Sequence, residues 1–278
     1  MFLNNVPLYD FVRFSQLNGI GTFGIFNTAI VDELLVFPGN PPLEYGNTTS
    51  GLVAIKTLEK VPEEAVKNVT LSFASYGFFI SQPLNEKQAI TAFSNYQPSA
   101  LMKAIIGESL EDIEKFNSID LGMSYLNLLG EKTVLKVFNY SLLEGYDFNF
   151  QSPTLNTDFQ QRKKRNFTVT NLRRQQGRYE FTFNSNLSFS NTNFTYAETD
   201  IDLNNFDAFG SLNYQLSLGP FRLKSGFAYD YRQQHFDGTF YTIDYAQGPG
   251  FPTQSTNSTT DLIRPVLYTY LTYFLKEK

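Results

Sequence analysis

The sequence predicts a mainly β protein: part of an antiparallel outer-membrane β-barrel, a curved open sheet of about nine strands, preceded by a small α+β unit. Three observations predict it. The stretch from Phe206 to Tyr241 alternates side-chain character with period two, the repeat of a strand whose faces meet different surroundings. Leu212, Tyr214, Leu216 and Leu218 point one way, with Asn213, Gln215 and Ser217 opposite. Gly219-Pro220 turns the chain, and Phe221, Leu223, Phe227, Tyr229 and Tyr231 then share a face against Arg222, Lys224, Asp230 and Arg232. Lipid outside and a wet lumen inside is the simplest setting for aromatics along one face and charge along the other.

The second observation is the rhythm of the connections. Short turns at 83–87, 130–132, 176–177 and 219–220 alternate with long connections at about 97–116, 150–164, 196–204 and 241–262, the layout of an outer-membrane barrel. The third is composition. The 278 residues carry net charge −5, with Phe 28 and Tyr 17 against Trp 0 and Met 3, an aromatic-rich and β-leaning chain. Mean hydropathy of −0.25 suits a barrel that places apolar residues at every second position. No apolar run approaches the roughly 18 residues of a spanning helix. Cys 0 removes disulfides and cysteine metal sites, and the acidic balance argues against a nucleic-acid partner.

Taken in order, residues 1–57 form a compact unit whose short apolar pieces are separated by glycine and proline turns, with strands expected at Ile30 to Phe37 and Gly51 to Thr57. Gly19-Ile20-Gly21-Thr22-Phe23-Gly24 fits G-x-G-x-x-G, but a dinucleotide site needs a parallel βαβ continuation and the later chain reads as hairpins, so it is glycine-rich turning. Residues 58–67, with Glu59, Lys60, Pro62, Glu63, Glu64 and Lys67, are charged and proline-interrupted, a composition that suits a linker. From 68 to 278 strand-like runs fall at 68–81, 88–96, 117–128, 133–149, 165–176, 178–195, 205–218, 221–240 and 263–275. Leu101, Ile105, Ile106, Leu110, Ile113 and Phe116 recur near helical spacing between Ser99 and Phe116, predicting a short helix in the first long connection.

Four pieces of the first unit carry a family resemblance. Phe2-Leu3-Asn4-Asn5-Val6-Pro7-Leu8-Tyr9-Asp10 is followed by Ile25 to Val31, Val36-Phe37-Pro38-Gly39, and Glu44-Tyr45-Gly46-Asn47-Thr48-Thr49-Ser50-Gly51-Leu52-Val53-Ala54-Ile55. In this order they resemble the second half of the plug of a TonB-dependent outer-membrane receptor. The resemblance implies a partial plug domain at 1–57 and a partial transmembrane β-barrel at 68–278, in the cell outer membrane. It also implies energised uptake of a scarce small ligand of unknown identity, with the TonB energy-coupling complex acting through a missing N-terminal segment and outer-membrane lipid around the barrel. Ligand contacts are then expected on the plug loop from Arg13 to Phe23, at Arg13, Gln16, Asn18 and Phe23. Nine strands are under half of the roughly 22 in a plugged transporter, so the chain reads as a fragment, with the plug remnant against a polar, concave sheet face.

Other chemistry is thin. His235 is the single histidine, which leaves no zinc or facial-triad site. Asp200-Ile201-Asp202-Leu203-Asn204 imitates a calcium loop but lacks its glycine and its closing glutamate, and reads as a solvated loop. Arg162-Lys163-Lys164-Arg165, at the end of an expected outer loop, suits anionic headgroups, an acidic ligand or plain solvation. Asn139-Tyr140-Ser141 and Asn193-Phe194-Thr195 read as parts of an Asn- and Thr-rich lumen face. No nucleophile elbow, P-loop or paired-histidine motif is present, so no enzyme, cofactor or metal site is expected. The alternatives are a passive porin or structural barrel, which an odd strand count disfavours, and a secreted β-sandwich binding module, which would stay soluble without detergent.

Overall fold

The structure is a computed structural model that describes residues 1–10, 12–13, 23–24, 28–46, 51–72, 75–106, 113–152, 155–197, 199–242 and 252–274. Its N-terminal unit contains β1 (Phe2–Leu3), β2 (Val6–Pro7), β3 (Val12–Arg13), β4 (Phe23–Gly24), a 3-10 turn at Thr28–Ile30, β5 (Val31–Phe37) and β6 (Leu52–Thr57). β1, β2, β5 and β6 form one sheet in the order β2-β1-β6-β5, and β3 pairs with β4 alone. Asn4 and Asn5, both at positive φ, close the two-residue hairpin between β1 and β2, the conformation that asparagine accepts most readily after glycine. No α-helix occurs among the described residues of this unit, so the helical share expected of it is not seen. Its pieces, broken by glycine and proline, are too short to nucleate one.

The rest of the chain builds an antiparallel sheet of ten strands in sequence order: β7 (Val66–Leu71), β8 (Tyr76–Asn85), β9 (Gln88–Pro98), β10 (Ile113–Leu128), β11 (Thr133–Ser152), β12 (Leu155–Gln176), β13 (Tyr179–Tyr196), β14 (Thr199–Leu218), β15 (Phe221–Tyr241) and β16 (Thr253–Tyr273). Ten rather than about nine results from the run at 68–81, which is a hairpin. Across it the Ser72 N–H donates to the Ser75 carbonyl at 2.9 Å and the Ser75 N–H donates to the Ser72 hydroxyl at 3.0 Å. The four short turns lie where the sequence placed them, and Gly130, Gly177 and Gly219 all adopt the positive φ those turns require. A helix, α1 (Ser99–Ile106), occupies the first long connection as expected.

Two other long connections are not loops. β11 and β12 run to within two residues of each other at 153–154, and β13 meets β14 through Tyr196↔Thr199. Polar side chains extend these ladders past the apolar band. Asn193 bonds Asp200 at 2.9 Å, Asn191 bonds Asn204 at 2.9 Å and Asn149 bonds Asp158 at 2.8 Å. The calcium-like stretch is therefore strand, its carboxylates held by asparagines. On β13 the face turned from the N-terminal unit carries Tyr179, Phe181, Phe183, Leu187 and Phe189, all exposed, and then Asn191 and Asn193. That apolar stretch matches the roughly 9–11 residues a strand needs to cross a bilayer.

Asn139 and Ser141 also lie on this outer face rather than on the lumen side, with Tyr140 turned inward. Asn139 bonds Thr168 at 2.8 Å and Asn166 bonds Ser141 at 2.8 Å. The strip satisfies itself, as a hydrocarbon setting demands. Asn193 and Thr195 face outward above the band while Phe194 is buried inside. β7 and β16 are the sheet's edges.

Candidate functional site at the interface of the N-terminal unit and the sheet

The N-terminal unit sits on the inner face of the ten-stranded sheet, and the seam has two halves of different chemistry. The first is apolar. Leu3, Val6, Leu8, Ile30 and Ile55 are buried against Phe93, Phe138, Tyr140, Leu142, Phe167 and Val169 of β9, β11 and β12. Period-two spacing puts Phe138, Tyr140 and Leu142 on one face, and pairing of Tyr140 with Phe167 brings the two strands' rings together, with centroids 5.4 Å apart. Gly122, opposite Phe93, makes the room: a Cβ there would overlap the Phe93 ring. The expected polar, concave face is therefore apolar along these strands. Alternation reveals that two faces differ but not which of them a neighbouring unit will cover.

The second half is charged, with Asp10, Glu44 and Glu59 on the N-terminal unit and linker, and their basic partners, together with Asp207 and Asp230, on the sheet. Lys163 Nζ lies 2.6 Å from Asp10. Glu59 takes Lys136 at 2.9 Å and Arg173 at 2.8 Å. Glu44 pairs with Lys224 and accepts a 2.7 Å hydrogen bond from the Tyr270 hydroxyl. Asp230 accepts from the Tyr9 hydroxyl and from Arg264, and Arg264 also donates to the Tyr9 hydroxyl at 2.8 Å. The Arg232 guanidinium stands 3.9 Å over the Tyr9 ring and bonds Asp207 at 3.0 Å. Of the four charges that β15 was read to share on one face, Lys224, Asp230 and Arg232 thus meet the N-terminal unit.

The basic cluster at 162–165 is corrected by the same geometry. It lies within β12, so alternation divides it. Lys163 and Arg165 turn inward, Arg165 donating to the backbone carbonyls of Tyr9, at 2.7 Å, and Asp10. Arg162 and Lys164 stay exposed, with Arg162 paired to Asp147. Headgroup contact is left to those two alone.

Three groups of the N-terminal unit and linker show what the seam does to acidity. Burial raises the Glu59 carboxyl, but Lys136 and Arg173 outweigh it and hold the group below its ordinary range. Burial first, then the bond to Asp230, pushes the Tyr9 phenol well above its usual value, so it remains a donor. Tyr45, buried beside Glu44 and Glu33, is pushed up to about 12.

Two cavities follow the charged half. The larger, about 440 Å³, lies between the N-terminal unit and the wall of β13–β16 and reaches Asn171 and Arg173 of β12 and Val134 and Lys136 of β11. The smaller, about 270 Å³, lies beyond Tyr9 and Asp10 toward the Tyr196–Thr199 end, with Lys163, Arg165, Asp207 and Arg232 in its walls. Of the expected ligand contacts, Arg13 and Phe23 are register partners in the β3–β4 ladder, while Gln16 and Asn18 lie outside the described residues, as does most of the 19–24 glycine motif. Tyr9 and Asp10 are interface residues that the sequence reading quoted only for the family resemblance, and Lys163 is one that it placed on an outer rim. The signal available was that a basic run inside a long strand must split between two faces. His235 Nδ1 lies 2.9 Å from Thr259 Oγ1. Among the described residues no group of three acidic, histidine or cysteine side chains comes together.

No protein-family model matches the chain, and no curated protein matches it. Solved structures do match. The copper transporter OprC aligns with TM-score 0.65 and 9% identity, over 99% of this chain and 52% of that one. The ferric-catecholate import receptor Fiu from E. coli K12 aligns with TM-score 0.58 and 8% identity, over 99% and 60%. The ferric enterobactin receptor of Pseudomonas aeruginosa aligns with TM-score 0.59 and 14% identity, over 94% and 45%. The chain spans about half the length of the structures it matches. Its fold is that of part of a TonB-dependent outer-membrane receptor, as the resemblance in its first unit implied.

Proposed function

We propose that residues 1–57 are a partial plug, 58–67 the linker and 68–278 a partial transmembrane barrel of a TonB-dependent receptor that performs energised uptake of a scarce small ligand across the outer membrane. The observation that carries this reading is the packing of the N-terminal unit onto the inner face of the sheet, through Leu3, Val6 and Leu8 on one side and Asp10, Glu44 and Glu59 on the other. A unit docked in this way obstructs a lumen, which a passive pore has no use for and a gated importer requires. The sheet also turns a broad apolar surface outward, including Leu267 at 81% exposure, where a secreted β-sandwich would bury it.

In this reading Arg13, Gln16, Asn18 and Phe23 belong to the plug apex and contact the ligand, and TonB engages a segment N-terminal to the plug. Proteins of this fold handle ferric chelates and copper, so a metal or metal chelate is the first ligand class to try, as cargo rather than as a resident cofactor. No enzymatic step is assigned. The test is co-purification of the full receptor with the periplasmic domain of TonB, together with uptake in cells before and after an uncoupler. A complex and uncoupler-sensitive uptake support the reading. No complex, with uptake indifferent to the uncoupler, returns the passive-porin alternative.

A further inference from the structure

The two halves of the seam are unequal in what breaking them costs. On the β9, β11 and β12 side the plug shares one continuous apolar core with the barrel, where Leu3, Val6, Phe167 and Val169 are fully buried, and the ion pairs of Lys136 and Arg173 with Glu59 and of Lys163 with Asp10 flank that core rather than replace it. Sliding or lifting the plug there exposes apolar side chains to water with nothing gained in exchange. On the β13–β16 side the contacts are discrete polar bridges, Glu44 to Lys224 and Tyr9 to Asp230 and Arg264, around a cavity of about 440 Å³. Each of those groups can trade its partner for water or for a hydrophilic solute, which exchanges one hydrogen bond for another.

The cavity wall also carries buried polar atoms with no hydrogen-bond partner among the described residues. Asp230 Oδ1 and Asn171 Oδ1 are orphan acceptors, on side chains 5% and 6% exposed, and Arg264 Nε is an orphan donor. Buried polar atoms of this kind are costly unless something occupies the space beside them. Acidic and basic side chains are nearly balanced around the cavity, with Glu44, Glu59 and Asp230 facing Lys136, Lys224 and Arg264. It therefore selects for hydrogen-bonding capacity rather than for one sign of charge.

From this we infer that the solute passes between the plug and the β13–β16 wall, with the cavity as a binding station for a hydrophilic molecule that both donates and accepts hydrogen bonds, while the plug pivots on the apolar seam. The inference rests on the receptor reading above and adds to it which wall is used. Asp230 and Asn171 take donors of the passing solute and Arg264 takes an acceptor. The tethers from Glu44 and Tyr9 must open before anything of molecular size goes through.

The chain has Cys 0, so single cysteines report cleanly. Ser211→Cys and Ala228→Cys place a thiol in the cavity wall. Val169→Cys and Val6→Cys, near-isosteric changes, place one in the apolar seam. The full receptor in whole cells is exposed to a membrane-impermeant sulfonated maleimide, with and without an uncoupler. The expected result is labelling at 211 and 228 several-fold faster than at 169 and 6, and faster in energised cells. Labelling at 169 or 6 as fast as at 228, or none at 211 and 228, overturns the choice of wall. Cavity labelling that ignores the uncoupler supports the wall and removes instead the energised-uptake reading, so the two failures are distinguishable.

Discussion

At the scale of single residues, the plug is held by side chains whose effect depends on what lies behind them. Tyr9 is the clearest case, because its hydroxyl serves Asp230 and Arg264 while its ring carries Arg232. Tyr9→Phe keeps the ring and loses only the hydroxyl, at a cost of about 1.5 kcal/mol for a bond to a charged group. The expected outcome is a lower urea concentration at which protease frees the N-terminal unit, and Tyr9→Leu, which also loses the stacking on Arg232, lowers it further. Glu59 gives a pH dependence of definite sign. Its folded carboxyl titrates below its ordinary range, so its contribution is present above the unfolded value and is lost as pH falls through the lower folded one. Protease sensitivity of the 58–65 linker should rise in that acidic window, and Glu59→Gln should flatten the rise.

At the scale of elements, each strand divides its residues between two solvents. Gly122→Ala on β10 would drive the Phe93 ring out of its place, an overpacking that costs about 1–3 kcal/mol. A lower melting temperature in detergent would report it, and an unchanged one would mean that the ring has other room. On β16, Leu267 lies in the apolar stretch from Ile263 to Tyr273, and Asn257 lies above it. Leu267→Lys should cost about 2–4 kcal/mol if that stretch meets the bilayer midplane, and Asn257→Lys about 0–1. Equal effects in a urea titration of the membrane-inserted receptor would contradict the placement of the band.

At the scale of the whole molecule, the mixed seam sets how the plug responds to its surroundings. Exposed ion pairs are screened at about 1 M salt, but buried pairs are screened much less and apolar packing is not weakened by salt. Protease protection of the N-terminal unit should therefore survive at about 1 M sodium chloride, and a plug released by salt alone would contradict the seam described here. Much of this architecture was legible in the chain. Period-two alternation at 206–241 marked β14 and β15, and four glycine or polar turns fixed the hairpin ends. Both are local properties, set by the pleat and by the φ angles a turn requires. The sequence by itself therefore determined most of the strands, their antiparallel order and the alternation of each between two unlike faces. Tertiary structure alone decided which inner residues meet the plug. That is why Phe138, Tyr140 and Phe167 became a core rather than a lumen lining, and why Lys163 and Arg165 left the expected rim to grip Tyr9 and Asp10. Such contacts join residues more than a hundred positions apart, and the periodicity of one strand carries no information about what a distant segment will lay against it.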